Sequence, residues 1–306
     1  MAWSLQDIPN QTDNVIVITG ANVGLGYESA KALAAKGAEV VVAVRTISKG
    51  EDAAQQIRTE VPSAKVHVME LDLADLASID QFAQNFKAQF NRLDVLMNNA
   101  GVMATPQKQT KDGFELQFGT NHLGHFALTG QLLDVLLSTP NSRVVTVSSM
   151  AADNGEMHYD DVMLDKNYER FKAYCQSKLA NLLFTLGLQR RFDEWGVSSI
   201  AVAAHPGVAN TELSRGFIGN NFIRSGFKWL SSLFLQSSDQ GAHSQLRAAT
   251  DPSVNGGEYY GPKNGGKGDA VTTPMPDSVD EDDIEKLWAL SEQLTNITYE
   301  PSAELT

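Results

Sequence analysis

The 306-residue sequence predicts a single α/β domain built on a doubly wound, mostly parallel sheet with helices on both faces. Three observations carry this expectation. Short, apolar, β-branched runs alternate with helix-length segments from Val15 onward. The first of those runs opens directly into a glycine-rich turn. A 42% hydrophobic composition at this length supports one large core and is short for two independent ones.

Val15–Ile18 reads as a buried strand entering the Thr19–Gly20 turn, because a parallel strand covered on both faces is apolar at every position. A helix over Leu25–Lys36, a strand at Glu39–Val44, a helix over Ser48–Glu60 and a strand at Lys65–Leu71 complete a βαβαβ unit. The alternation continues with a helix at Leu76–Phe90, a strand at Leu93–Asn98, a helix over Phe114–Leu137 and a strand at Arg143–Ser148. A long helix over Ala173–Phe192, a strand at Ser198–Ala204 and a last short strand near Glu258–Tyr260 follow. Two stretches break the pattern, 151–171 and 214–238, and both follow strands, on the side where open α/β sheets take ligands. Residues 274–306 form an acidic C-terminal extension in which Ile284–Leu294 reads as helical.

A formal net charge of −13, with no Lys/Arg stripe to offset it, would repel phosphate backbones, so nucleic acid is not an expected partner. The single cysteine, Cys175, leaves no intrachain disulfide and no cysteine-cluster metal site, which fits a reducing compartment. Residues 1–14 show neither a basic n-region nor a long apolar run, so the expected location is the cytoplasm, without membrane association.

The turn Thr19-Gly20-Ala21-Asn22-Val23-Gly24-Leu25-Gly26 joins the first strand to the first helix, where amides at a helix N-terminus can cradle a pyrophosphate. Its spacing differs from G-x-G-x-x-G, and taken alone it reads equally as a structural turn. At the end of the second strand, where an acid would bond the ribose hydroxyls of NAD, the chain has Val44 followed by Arg45. A guanidinium pairs bidentately with a 2′-phosphate, which favours NADP(H); the alternative is a solvated strand-end arginine. Tyr174 and Lys178 are four apart and share a helix face. A phenol with pKa near ~10 transfers protons poorly at neutral pH, and a charge about 4 Å away is worth roughly 4 kcal/mol at an effective dielectric of ~20. An ammonium there can tune the phenol for acid/base work, or the pair can be an ordinary feature of a helix face.

The glycine turn, Asn98-Asn99-Ala100-Gly101, Asn121, Ser149, Tyr174-x-x-x-Lys178 and Pro206-Gly207 occur in this order, and the set resembles the short-chain dehydrogenase/reductase family, whose domain is a Rossmann fold. The resemblance implies that Tyr174 protonates a substrate oxygen as hydride arrives from NADPH, that Lys178 also holds the nicotinamide ribose, that Ser149 hydrogen-bonds the carbonyl oxygen, and that Asn121 supports a proton-relay water. It further implies cofactor contacts at Gly20, Asn22, Val23, Gly24, Leu25, Gly26, Arg45, Asp72, Leu73, Asn98, Asn99, Ala100, Gly101, Pro206, Gly207, Val208 and Thr211, besides Tyr174 and Lys178. Asp72 is alternatively a cap for the next helix. The 24 residues between Ser149 and Tyr174 exceed the gap of shorter members. With Asn121-His122-Leu123-Gly124-His125-Phe126 and His205-Pro206-Gly207, that gap resembles the retinol-dehydrogenase-like branch, and protochlorophyllide reductases share part of the pattern.

His122, His125 and His205 share no ligand spacing, so no metal is expected, and Cys175 is expected to pack rather than react. The apolar residues of 214–238, among them Phe217, Phe222, Phe227 and Trp229, suggest a lid over a hydrophobic substrate. A subunit interface and a membrane-surface helix are the alternatives, since Arg215, Arg224 and Lys228 are interspersed. Met103, Met150 and Met157 read as pocket lining or as core. The implied function is NADP(H)-dependent interconversion of a carbonyl and an alcohol on a medium-sized hydrophobic substrate, by a monomer or homodimer. Reduction of a C=C bond, as in protochlorophyllide reductases, is one alternative; a non-catalytic NADP(H) sensor or scaffold is another, although no catalytic residue is lost.

Overall fold

A computed structural model of the chain describes residues 2–207, 238–266 and 268–301. Its strands are β1 (Val15–Thr19), β2 (Glu39–Val44), β3 (Lys65–Glu70), β4 (Val95–Asn98), β5 (Arg143–Val147), β6 (Ile200–Ala204), β7 (Tyr259–Pro262) and β8 (Ala270–Thr273). They form one sheet in the order β3-β2-β1-β4-β5-β6-β7-β8. All neighbours pair in parallel except the last, where Tyr259 faces Thr273 and Pro262 faces Ala270 in an antiparallel ladder. Strand order reverses between β1 and β4, so the carboxyl ends of these two strands open the crevice in which such sheets bind ligands.

Alternate residues of each strand supply two cores. Ile16, Ile18, Val40 and Val42 point to the face covered by α1 (Gly24–Ala35) and meet Ala30 and Leu33; Leu246 and Ala249 join them there. Val15, Val17 and Val41 point the other way, toward Phe82, Phe86, Phe126, Phe184 and Leu188. Covered on both faces, β1 is buried along its whole length, as its unbroken apolar sequence predicts.

Three features depart from the sequence reading. The single helix expected over Phe114–Leu137 is interrupted: Leu116–Phe118 leads into a π turn at Gly119–Leu123, the α-helix resumes at Gly124–Gln131, and after Leu132 a short helix covers Leu133–Ser138. Residues 117–129 are all buried, so hydrophobicity had no phase in which to record the break. A helix at Ser238–Thr250 was not anticipated; its core contacts come largely from small residues, Ala242, Ala248 and Ala249, which leave a weak pattern. Glu258–Tyr260 is not the final strand, because the four-residue β8 follows it at the sheet edge. The apolar stretch 214–238, apart from Ser238 at the start of that helix, lies outside the described residues, as do Val208 and Thr211. Among the described residues, no helix is long and apolar enough to cross a membrane.

The C-terminal extension is part of the core. Its helix, Glu281–Thr295, begins at Asp280, whose side chain accepts from the Asp282 amide, and ends at Asn296 in the left-handed region. Trp288 lies among the rings of Phe184 (5.9 Å), Phe126 (5.2 Å) and Tyr299 (4.8 Å), with the Arg191 guanidinium 3.6 Å from its centroid. Phe184 and Arg191 belong to the helix Arg170–Glu194, which also carries Tyr174 and Lys178. Trp288→Ala removes this brace and is expected to cost about 3–5 kcal/mol, read as a lowered midpoint in urea unfolding.

Candidate active site

The chain leaves β1 through Gly20 (φ 68°) and enters α1 at Gly24 (φ 60°), conformations that side-chain-bearing residues adopt only with strain. Gly26 is needed for a different reason: a Cβ there would stand 2.6 Å from Asn99 Nδ2 and 2.8 Å from the Gly20 carbonyl oxygen. Val23 caps α1 in an extended conformation and makes no side-chain hydrogen bond, so the first amides of the helix stay available to an anion. This uncapped helix start with a cradle too tight for a Cβ fits the pyrophosphate of a dinucleotide.

Asn98–Gly101 leave β4 beside the turn. Asn99 Nδ2 donates to the Thr19 carbonyl at 2.8 Å, and the amides of Asn99 and Ala100 both donate to Thr19 Oγ1 at 2.9 Å. Asn98 is buried, its Nδ2 donating to Thr129 Oγ1. At the end of β2, Val44 is buried, whereas Arg45 is exposed and has no hydrogen bond or ion pair with any described residue. Asp72 Oδ1 accepts from the Ala74 amide, but the cap of the following helix, Leu76–Gln89, is Asp75; Asp72 shapes the turn and does not cap. The Leu73 side chain is buried in the core.

The acid/base candidates converge at the ends of β4 and β5. Ser148 Oγ donates to the Lys178 carbonyl at 2.7 Å and is thereby committed to the scaffold. Ser149 opens a 3-10 turn (Met150–Asn154), accepts from the Ala151 amide, and has its hydroxyl close enough to the Tyr174 phenol to favour the phenolate. Tyr174 is 8% exposed, and burial raises its pKa against the opposing influence of Ser149, so the phenol stays protonated at neutral pH. One turn on, the Lys178 ammonium lies 5.8 Å from the Tyr174 ring centroid and donates to the Val147 carbonyl at 2.9 Å. Burial lowers its pKa from the ordinary 10.5 to about 8.

Asn121 sits within the π turn, a helix defect often found at functional sites. Its side chain is fully committed: Oδ1 accepts from the Val102 amide (2.8 Å), and Nδ2 donates to the Val102 carbonyl and to Ser177 Oγ (both 2.9 Å). A water held by Asn121 would therefore use its main-chain carbonyl. A Cβ on Gly101 would stand 3.2 Å from Asn121 Oδ1 and 3.6 Å from Lys178 Nζ, which puts these three in one patch. Gly101, Asn121 and Lys178 thus adjoin the Ser149–Tyr174 pair. Pro206-Gly207 lie at the exit of β6, where the Gly207 amide donates to His205 Nδ1.

The three histidines have separate partners: His122 Nε2 is 2.8 Å from Ser291 Oγ, His125 bridges Thr19 and Asn121, and His205 accepts from Gly207. Desolvation lowers their pKa values to about 3, 4 and 4 respectively, so each is neutral. Cys175 packs with Ala151, Tyr174 and Met103, and burial pushes its thiol up to about 11. Met157 belongs to a buried cluster with Phe118 and Leu183, whereas Met150 is 36% exposed beside Ser149. Sequence reasoning missed Thr19, Ser177 and Gln245, whose Nε2 reaches Asn99 Oδ1 at 3.2 Å. Thr19 directly precedes the glycine turn, so the signal for it existed; Gln245 lies on the unread helix.

A model of the short chain dehydrogenase family matches residues 14–218. The chain belongs to that family, in its retinol-dehydrogenase-like branch. It is 41% identical to Retinol dehydrogenase 12 of Homo sapiens over 288 residues, covering 94% of this chain and 87% of that protein. It is 46% identical to Retinol dehydrogenase 11 of Homo sapiens over 235 residues, covering 77% and 72% respectively. A solved structure of an uncharacterized protein from Mycobacterium paratuberculosis is similar at a TM-score of 0.82 and 41% identity, covering 98% of this chain and 100% of that one. The chain is thus an oxidoreductase of the short-chain dehydrogenase type, and its fold implies a nicotinamide cofactor.

Two consequences can be measured. Gly26→Ala should loosen dinucleotide binding by ten-fold or more, roughly the 1.4 kcal/mol that displacing Asn99 or Gly20 would cost at minimum, read by fluorescence titration with NADPH. Because Lys178 is harder to protonate folded than unfolded, the folded state is penalised below about pH 8, and the penalty fades as pH rises toward 10.5. Lys178→Met should therefore stabilise the cofactor-free protein at pH 7 by on the order of 2–3 kcal/mol, with the gain shrinking in alkali. Val147 still accepts from Asn181 Nδ2 at 3.0 Å in that variant, so no carbonyl is orphaned.

Proposed function

We propose that the protein interconverts an aldehyde or ketone with its alcohol on a medium-sized hydrophobic substrate, using NADP(H), with Tyr174 as the acid/base. The observation that carries this reading is the Tyr174 phenol, with the Ser149 hydroxyl close by and the Lys178 ammonium beside its ring, at the mouth of the crevice that the uncapped helix start also borders. When bound, the nicotinamide supplies or accepts the hydride.

In the reducing direction, Tyr174 delivers its proton to the substrate oxygen, which Ser149 also hydrogen-bonds. The nearby Lys178 ammonium stabilises the phenolate that remains. Asn121 is read as supporting, through its main-chain carbonyl, the water by which the phenol is reprotonated. Arg45, beside the apolar Val44 and without a partner among the described residues, supports a 2′-phosphate and hence NADP(H) over NAD(H). Asn22 and Asn99–Gly101 line the dinucleotide side, with the buried Asn98 behind them. The preference for an apolar substrate rests on the surroundings of the phenol: Phe171 is 45% exposed, with its ring 6.3 Å from that of Tyr174, and Met103 packs against Tyr174. From the 151–171 stretch, Ala151 packs against Tyr174 and Phe171 stands beside its ring. The resemblance to retinol dehydrogenases agrees in kind, since those names denote oxidation of an apolar alcohol.

Purified protein should consume NADPH with a panel of hydrophobic aldehydes and ketones, and Tyr174→Phe should reduce turnover by about 10²–10⁴-fold. A panel that yields no turnover at saturating NADPH would overturn the assignment. Arg45→Asp should lower the NADPH/NADH ratio of kcat/KM by roughly 10–100-fold, the value of a lost charge-assisted pair. Because the phenol must be protonated to reduce and ionised to oxidise, carbonyl reduction should decline toward alkaline pH while alcohol oxidation rises, as rate profiles in the two directions would show.

A further inference from the structure

We propose that His125 is a positioning residue that couples the dinucleotide-binding turn to the Asn121 segment, so that cofactor affinity and turnover both depend on it. The turnover half rests on the function proposed above; the affinity half does not.

The assignment of protons around His125 follows by elimination. Its Nδ1 lies 2.9 Å from the Asn121 carbonyl, which can only accept, so Nδ1 carries the proton. The ring is buried and neutral, with the Lys178 ammonium further opposing protonation, so Nε2 is bare. Thr19 Oγ1 lies 2.9 Å from Nε2 and must give it its only proton; the rival acceptor, the Met97 carbonyl, is farther at 3.3 Å. The lone pairs of Thr19 Oγ1 then receive the amides of Asn99 and Ala100, both at 2.9 Å. No position on the imidazole or the hydroxyl is left unused.

One ring therefore joins three segments distant in sequence: the end of β1, the exit of β4 and the π turn. Asn99, held on this hydroxyl, is also the group against which Gly26 closes. The path from the imidazole to the pyrophosphate cradle is three contacts long, through Thr19 and Asn99 to Gly26. It does not conduct protons, because it ends on a peptide carbonyl on one side and on peptide amides on the other. What it transmits is position.

The test uses the full chain with His125→Phe, which keeps a ring and loses both hydrogen bonds, His125→Gln, which can donate and accept again, Thr19→Val, and the His125→Phe/Thr19→Val pair. NADPH affinity is read by fluorescence, kcat and KM with a hydrophobic aldehyde, and thermal midpoint without cofactor. We expect His125→Phe to weaken NADPH binding by about ten-fold and lower kcat by about 10–100-fold at nearly unchanged aldehyde KM, with His125→Gln recovering most of both. The double variant should be no worse than the poorer single, since both remove one linkage. A lower thermal midpoint with wild-type affinity and kcat, or additive losses in the pair, would overturn the coupling. Should His125→Phe not fold, Thr19→Val compared with Thr19→Ser, which keeps the hydroxyl, decides it: NADPH affinity should fall in Thr19→Val and hold in Thr19→Ser, and equal affinities would overturn the coupling. If wild type turns over no carbonyl, the proposed function fails, while the affinity cycle still decides the role of His125.

Discussion

A buried ammonium needs a fixed acceptor, and the Val147 carbonyl at the end of β5 supplies one to Lys178. Much of the architecture follows from meeting that demand. The helix Arg170–Glu194 must run close enough to β5 for Lys178 and Asn181 to reach the same carbonyl and for Ser148 to reach the Lys178 carbonyl in return. The fixed distance between helix and strand places Tyr174 beside Ser149, the next residue after that contact. The C-terminal helix then holds the long helix from its other side through Trp288.

The same demand shows how the site can be polar without being wet. Ser148, Asn121, Thr19 and His125 are all buried, and their hydrogen bonds run to the backbone, to one another or to the buried Ser177. Ser149 is set apart because its hydroxyl faces the phenol rather than a neighbouring strand. A scaffold with its polar groups satisfied in this way needs no reorganisation when charge develops on the substrate, which is the condition under which fixed dipoles are most effective.

How much of this could be read beforehand depends on where each residue lies. The strands β1, β2, β4, β5 and β6 were legible because burial on both faces leaves apolar runs, whereas the edge strand β3 alternates polar and apolar residues. Tyr174, Lys178 and Ser149 were legible because ordered motifs surround them. The π turn was not, since residues 117–129 are buried all round and a five-residue defect leaves no periodic trace. The helix at Ser238–Thr250 was hidden by its small buried residues, and with it the Gln245 contact to Asn99. Of the two roles open to Asp72, the capping one belongs to Asp75, three residues on. Hydrogen bonds between segments far apart in sequence, such as Thr19 to His125, have no local pattern at all.

The neutral histidines have a consequence of their own. Three of the six histidines, His122, His125 and His205, are so strongly desolvated that they would bind a proton only near pH 3–4. Ordinarily imidazoles are the side chains that make a protein respond to mild acidification. Around this site they have been withdrawn from that role, so cellular acidosis or an acidic microenvironment leaves the charge of the histidines packed beneath it unaltered.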